Sequence, residues 1–215
     1  MNIKQTCMNI EKKLNKLIII SSPSGAGKTT ICKYLIKKMN NLDLSISYTT
    51  RPKRITEKNH NDYHFVDKNK FLKLKKDKFF IESAKVFNYY YGSPFTGIKK
   101  SFKKNNNILF DIDWQGARKL RKNFNNNQIL DFFILPPSKR ELKKRLIKRG
   151  RENSQEIQIR LSHALNEMSH FAEYKYVLIN DKITETVKNL IHIINYNILI
   201  SKLAIKTRKK LNTIK

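Results

Sequence analysis

The chain has 215 residues, with 45 Lys+Arg against 17 Asp+Glu and a formal net charge of +28. Hydrophobic residues make up 40% and aromatic residues 10%, too many for a disordered polyelectrolyte and enough to build a core in one large domain with small insertions. No apolar stretch approaches the roughly 20 residues of a membrane helix, so no membrane partner is expected, and the two cysteines, Cys7 and Cys32, form neither a disulfide framework nor a zinc spacing.

Residues 1–16 read as an N-terminal extension that mixes Lys and Asn without the apolar region of a secretory signal, so the cytoplasm is the expected compartment. Leu17-Ile18-Ile19-Ile20 is a short continuous apolar run, the pattern of a buried parallel strand, and it ends at Ser21-Ser22-Pro23-Ser24-Gly25. Thr29 to Met39 reads as a helix with Ile31, Leu35 and Ile36 on one face. Residues 47–94 are polar and aromatic and read as an inserted small α+β subdomain. Ile108–Ile112 and Phe132–Leu135 read as further buried strands, the second stopped by Pro136-Pro137.

The basic run 139–158 reads as a lid. Ile157, Leu161, Ala164, Leu165, Met168 and Ala172 then recur at helical spacing. Tyr176–Ile179 is a fourth strand, ending at Asn180-Asp181, and Ile183, Val187, Leu190, Ile191, Ile194 and Ile198 mark a last long helix. Residues 207–215 are expected to be a basic tail at its frayed end. Buried strands alternating with helices give an α/β fold with a parallel sheet, its core assembled from 17–46, 95–138 and 159–206.

Ser22-Pro23-Ser24-Gly25-Ala26-Gly27-Lys28-Thr29, between that first strand and helix, is a P-loop in all but its first position, where the pattern has Gly and this chain has Ser22. Gly25 and Gly27 let successive backbone N–H groups turn toward one phosphate chain at the positive end of the helix. Lys28 is placed to reach the β- and γ-phosphates of ATP, and the Thr29 hydroxyl to hold Mg²⁺. The expected core is therefore the three-layer P-loop NTPase type. Asp111 and Asp113 stand two apart at the end of an apolar strand, where ligands of an open α/β sheet collect; Asp111 is the candidate anchor for the hydration shell of Mg²⁺. A solvated edge or a helix N-cap is the alternative for this pair.

The charge excess would favour polyanions electrostatically. Yet the cations are mostly Lys, spread along the whole chain beside abundant Asn and Ile, all of which share A/T-rich codons. No nucleic-acid-binding motif accompanies them, and no specific nucleic-acid partner is expected. The histidines, His60, His64, His163, His170 and His192, are scattered and suggest no metal site.

Ser45-Ile46-Ser47-Tyr48-Thr49-Thr50-Arg51-Pro52-Lys53-Arg54, Asp62-Tyr63-His64-Phe65-Val66, Phe80-Ile81-Glu82, Asn88-Tyr89-Tyr90-Tyr91-Gly92-Ser93 and Asp111-Ile112-Asp113-Trp114-Gln115-Gly116 follow one another in a recognisable order. With the P-loop, Leu135-Pro136-Pro137-Ser138, Arg145-Leu146 and Arg149-Gly150, the chain closely resembles guanylate kinases, ATP:GMP phosphotransferases, from about Leu17 to Leu203. The resemblance implies that the inserted subdomain holds GMP. Arg51 and Arg54 would then grip its phosphate with Tyr63 and Tyr91, while Glu82 would accept from guanine N1–H and the exocyclic amine beside Ser47, Ser93 and Asp113. It also implies that Arg145, Arg149 and Arg160 close over ATP, against the alternative of a solvated basic helix face, and that Asn180-Asp181 lie near the adenine. GMP and ATP would be the small-molecule partners, with a homo-oligomer left open. The rival readings are an inactive guanylate-kinase-like binding module and a basic nucleic-acid-binding protein.

The chain also departs from the family pattern beyond the P-loop: Pro52 stands one position nearer Arg51, Pro94 follows Ser93, and one turn lacks glycine. Arg54-Ile55-Thr56-Glu57-Lys58-Asn59-His60 contains no glycine, so any left-handed residue needed there is expected at Asn59 or Asn61.

Overall fold

The computed structural model describes residues 15–148 and 154–212. Strand β1 (Leu17–Ser21) is buried from end to end, which is why its sequence is a continuous apolar run rather than an alternation. It pairs in parallel with β7 (Asn107–Asp111) on one side and β8 (Ile129–Leu135) on the other. β2 (Leu42–Leu44) and β9 (Tyr176–Ile179) complete a five-stranded parallel sheet in the order β2-β7-β1-β8-β9.

The period-2 geometry of β1 divides its side chains between two cores. Leu17 and Ile19 pack with Ile98 and Phe102 of α3 (Phe95–Lys103) and Ala117 and Leu120 of α4 (Trp114–Asn123). Ile18 and Ile20 pack with Ile31 and Leu35 of α1 (Lys28–Lys38) and Val187, Leu190 and Ile194 of α7 (Ile183–Asn212). The result is the expected three-layer core. Each of the four β1 side chains from Leu17 to Ile20 is fully buried, a stabilisation of about 1.5–3 kcal/mol apiece. Because every strand runs the same way, the loops after β1, β7 and β9 emerge at one edge, and the site forms there.

A second sheet, in the order β4 (His64–Phe65), β3 (Tyr48–Thr49), β6 (Tyr89–Pro94), β5 (Phe80–Val86), stands beside the first. Its small core is aromatic: Phe71 of α2 (Lys68–Lys76) stacks on Phe80 at 4.7 Å and on Tyr90 at 5.5 Å between ring centroids. The β5–β6 hairpin turns through Phe87, held at φ 52. Its register shifts between Phe80 and Glu82, a bulge of the kind that re-aims side chains next to a site.

Two helices follow β8. α5 (Lys139–Lys148) and α6 (Ser154–Met168) meet through Leu142, Leu146 and Ala164. The helical spacing expected to run to Ala172 stops at Met168, and Leu165 is exposed; Ala172 belongs to a 3₁₀ turn, Phe171–Glu173. The tail expected at 207–215 is helical as far as Asn212. Among the described residues, no helix is long and apolar enough to cross a membrane.

Candidate active site

The donor end is built on the turn from β1 into α1. Gly25 and Gly27 adopt φ 97 and φ 98, a region closed to most side chains. At Gly27 the restriction is also spatial: a Cβ would lie 2.8 Å from Asn180 Nδ2, which donates a 2.8 Å hydrogen bond to the carbonyl of Ala26. Asn180, at the end of β9, is thus clamped against the phosphate loop rather than standing apart from it. Lys28 Nζ contacts Asp111 Oδ1 at 2.6 Å and donates to the Ile112 carbonyl at 2.9 Å. Burial works to lower the Lys28 pKa, but the Asp111 charge and hydrogen bond outweigh it and raise it, so the ammonium persists at any working pH.

Thr29 Oγ1 donates to Asp111 Oδ2 at 3.3 Å, so the structure brings together the two oxygen donors expected for the metal. A hydroxyl and a carboxylate fit Mg²⁺, which prefers oxygen and takes most of its shell from water and phosphate. Among the described residues no group of three or more His, Cys, Asp and Glu could hold a metal alone.

At the acceptor end, Glu57 braces both arginines of the strand-to-loop segment. Its Oε1 lies 2.6 Å from Arg51 Nη2 and 3.8 Å from Arg54 Nη1, and its Oε2 accepts from the Arg54 N–H at 2.9 Å. Burial pushes the Glu57 carboxyl upward, yet the Arg51 hydrogen bond and the Arg54 N–H outweigh it and hold it below the usual carboxylate value. The Arg51 guanidinium also lies over the Tyr63 ring, 5.6 Å from its centroid, and Tyr63 meets Tyr91 edge-on at 6.0 Å. Burial, reinforced by the nearby Asp111 charge, keeps the Tyr63 phenol protonated.

Glu82 is 4% exposed and accepts from the Ser93 N–H at 3.0 Å and the Ser93 hydroxyl at 2.7 Å; Ser47 Oγ lies 3.2 Å from Ser93 Oγ. Its second oxygen, Oε2, lies so near α4 that a Cβ on Gly116 would come within 2.7 Å of it. Burial, with the Asp113 charge adding to it, pushes the Glu82 carboxyl up to about 7 against the Ser93 hydrogen bonds. Asp113 caps α4, its Oδ1 accepting from the Gly116 N–H at 2.9 Å while its other oxygen accepts from Gln115 Nε2 at 3.1 Å. The N-cap alternative for the pair of aspartates therefore describes Asp113, which still lines the cleft, and the ion pair with Lys28 describes Asp111.

The glycine-free turn corrects the expectation placed on asparagine. His60 is the left-handed residue, at φ 67, and Asn59 instead supplies the side-chain acceptor for the N–H groups of His60 and Phe65. His is among the non-glycine residues that tolerate this region best. Nor are these histidines apart: His60 Nδ1 and His64 Nδ1 are 2.8 Å apart, and half-buried His64 stacks on Tyr48 at 4.4 Å.

One cleft of about 700 Å³ joins the two ends, lined by the loop from Ser22 to Thr29, by Asp111 and Asp113, and by Arg51, Arg54, Tyr63, Tyr91, Glu82 and Ser47. Ala26 and Ser93 sit just behind its wall, both fully buried. Of α5 and α6, the described residues that line the cleft belong to α6: Ile159, Arg160 and Glu167. Arg145 is directed elsewhere, donating to the Asn180 carbonyl at 3.2 Å from both Nη atoms and to Glu141 at 3.0 Å. Arg149 lies outside the described residues. Glu57, Phe87 and Glu167 contribute to the site without a motif that marks them; for Glu167 the sole sequence signal is its place seven residues after Arg160, two turns along one helix.

A family model described as guanylate kinase matches residues 14–197. A guanylate kinase of Rickettsia prowazekii is 45% identical over 183 residues, 85% of this chain and 92% of that protein. One of Coxiella burnetii is 42% identical over 179 residues, 83% and 86% of the two chains. The crystal structure of a guanylate kinase from Anaplasma phagocytophilum superposes with a TM-score of 0.72 at 33% identity, covering 87% of this chain and 88% of that one. With the family model spanning most of the chain and relatives 45% and 42% identical over more than four fifths of it, the chain belongs to the guanylate kinase family.

Proposed function

We propose that the chain transfers the γ-phosphoryl group of ATP to GMP, giving ADP and GDP, in the cytoplasm. The observation that carries this reading is one cleft lined by the phosphate loop with Lys28, by Arg51 and Tyr63, and by the buried carboxylate of Glu82. An oxygen of the GMP phosphate attacks the γ-phosphorus, and the β–γ bridging oxygen departs with ADP. The acceptor is already anionic, so no general base is required; positioning and charge stabilisation suffice.

Each residue then has a role that its surroundings support. The loop N–H groups and Lys28 hold the β- and γ-phosphates, and Arg160 offsets charge on the phosphoryl group in flight. Arg145, through Asn180, keeps the loop in shape, and Arg149 would join Arg160 over ATP. Thr29 and Asp111 would hold Mg²⁺, largely through water; when bound, it neutralises charge shared by the β- and γ-phosphates. Arg51 and Arg54 present planar forks to a dianionic phosphate, with Tyr63 and Tyr91 adding hydroxyl donors. Glu82 meets the two adjacent donors of guanine, where adenine would set a lone pair against it, with Ser47, Ser93 and Asp113 around the base. A buried acceptor left unmatched in this way discriminates by ~10⁴–10⁵.

A coupled ADP-release assay with ATP and Mg²⁺, comparing GMP, AMP, CMP and UMP, tests the reading. Turnover with GMP alone, collapsing in Glu82→Gln, is expected. Equal turnover with AMP overturns the base assignment, and no turnover with any nucleotide returns the chain to the binding-module reading.

A further inference from the structure

The cleft contains one carboxylate that the reaction above does not use. Glu167, on α6, accepts a 2.9 Å hydrogen bond from the backbone N–H of Ser24 in the phosphate loop. Burial, with Asp113 adding to it, raises its pKa above the ordinary carboxylate value against the Ser24 N–H and the Lys28 charge. Arg160 and His163 precede it by seven and four residues, which places all three along one face of the helix. That face meets the inserted subdomain too: the Phe87 ring at the hairpin tip lies 5.9 Å from the Arg160 guanidinium and 4.9 Å from the His163 ring. α6 thus touches the phosphate loop near its C-terminal end and the acceptor subdomain two turns earlier.

We propose that Glu167 is a positioning residue that seats α6 on the phosphate loop and so holds Arg160 at the transferring phosphoryl group. The packing of α6 on α5 uses Leu142, Leu146 and Ala164 with Leu161 and Met168, apolar contacts that resist separation but not small rotation or sliding. A directional hydrogen bond from the loop itself removes that freedom. The anchored atom and the catalytic guanidinium then move as one body, so the donor phosphates and Arg160 share a common reference. A displacement of about 1 Å at a reacting group lowers turnover by ~10²-fold, which sets the size of effect such an anchor controls.

The proposal rests on the reading of Arg160 given above, and five variants separate the two. In the coupled assay at saturating ATP and GMP, Glu167→Ala is expected to lose ~10–100-fold in kcat with the KM for GMP essentially unchanged. Glu167→Gln keeps an acceptor of the same reach and should restore most of the rate. Glu167→Asp keeps the charge but falls short of Ser24, and should resemble Ala. Glu167→Ala added to Arg160→Ala should bring no further loss. Near-normal Asp with impaired Gln, or losses that multiply in the double variant, would overturn the proposal. An unchanged kcat in Arg160→Ala alone would overturn the reading of Arg160 instead. Thermal unfolding of each variant, expected to match the parent, guards against a merely damaged fold, and the Gln–Asp contrast decides the matter even where Ala unfolds.

Discussion

At the donor end, the phosphate loop leaves a strand whose four apolar residues are fully buried between two helical layers, and its glycines and lysine occupy positions set by the backbone. At the acceptor end, Arg51 and Tyr63 flank strands of two residues each, and what holds them is other side chains: Glu57 on the arginines, Ser93 on Glu82, Asp62 on Lys33 of α1 at 2.8 Å. One end inherits its rigidity from the core, the other assembles it from pairs. The contrast explains why a subdomain with little core of its own can still present an ordered phosphate site, and why that site tolerates a turn without glycine.

The largest effect that would sharpen this comparison comes from removing one cation at each end. Lys28→Ala should lower kcat by ~10²–10³-fold with the KM for GMP nearly unchanged, since in the proposed reaction its ammonium would meet the donor phosphates where charge develops. Arg51→Ala should act mainly on the KM for GMP, by ~10–100-fold, the scale of one lost charge-assisted hydrogen bond. Steady-state kinetics with each substrate varied reads both, and a kcat effect confined to Arg51 would break the division of labour.

A smaller effect follows from pH. In the proposed reading Glu82 would accept from guanine only as the carboxylate, and burial pushes its pKa up to about 7. Its ionised fraction therefore falls as pH drops through that value, and the KM for GMP should climb toward about tenfold per unit below it. Glu82→Gln removes the titrating group, so in that variant only the slope from the GMP phosphate itself should remain; an unchanged slope would refute the assignment. The smallest effect belongs to His60→Gly. Relief of a left-handed β-carbon should raise stability by about 1 kcal/mol or less, seen as a Tm higher by a few degrees at most, with kcat held within about twofold.

The donor end was legible because its chemistry is local: a buried strand, glycines and Lys-Thr sit together between Leu17 and Thr29, and the parallel sheet followed from apolar runs that alternate with helical spacing. Asp111 was legible for the same reason, standing at the end of such a run. The braces were not. Glu57 is one acid in a charged loop, and Glu167 one acid on a helix whose apolar spacing already accounted for its neighbours. Each owes its role to a partner fixed by tertiary packing, Glu167 to Ser24 from far earlier in the chain. The left-handed turn residue was misplaced by one position because propensity favours Asn, whereas the hydrogen bonds of Asn59 to two backbone N–H groups use its side chain as an acceptor and leave the strained conformation to His60.

The bare Cα of Gly116 carries a lesson for redesign. A Cβ there would lie 2.7 Å from Glu82 Oε2, so the first turn of α4 confines the carboxylate on which the proposed choice of base depends. Re-engineering the enzyme toward adenine by exchanging Glu82 alone would leave a wall shaped for a carboxylate; the helix start has to be recut with it.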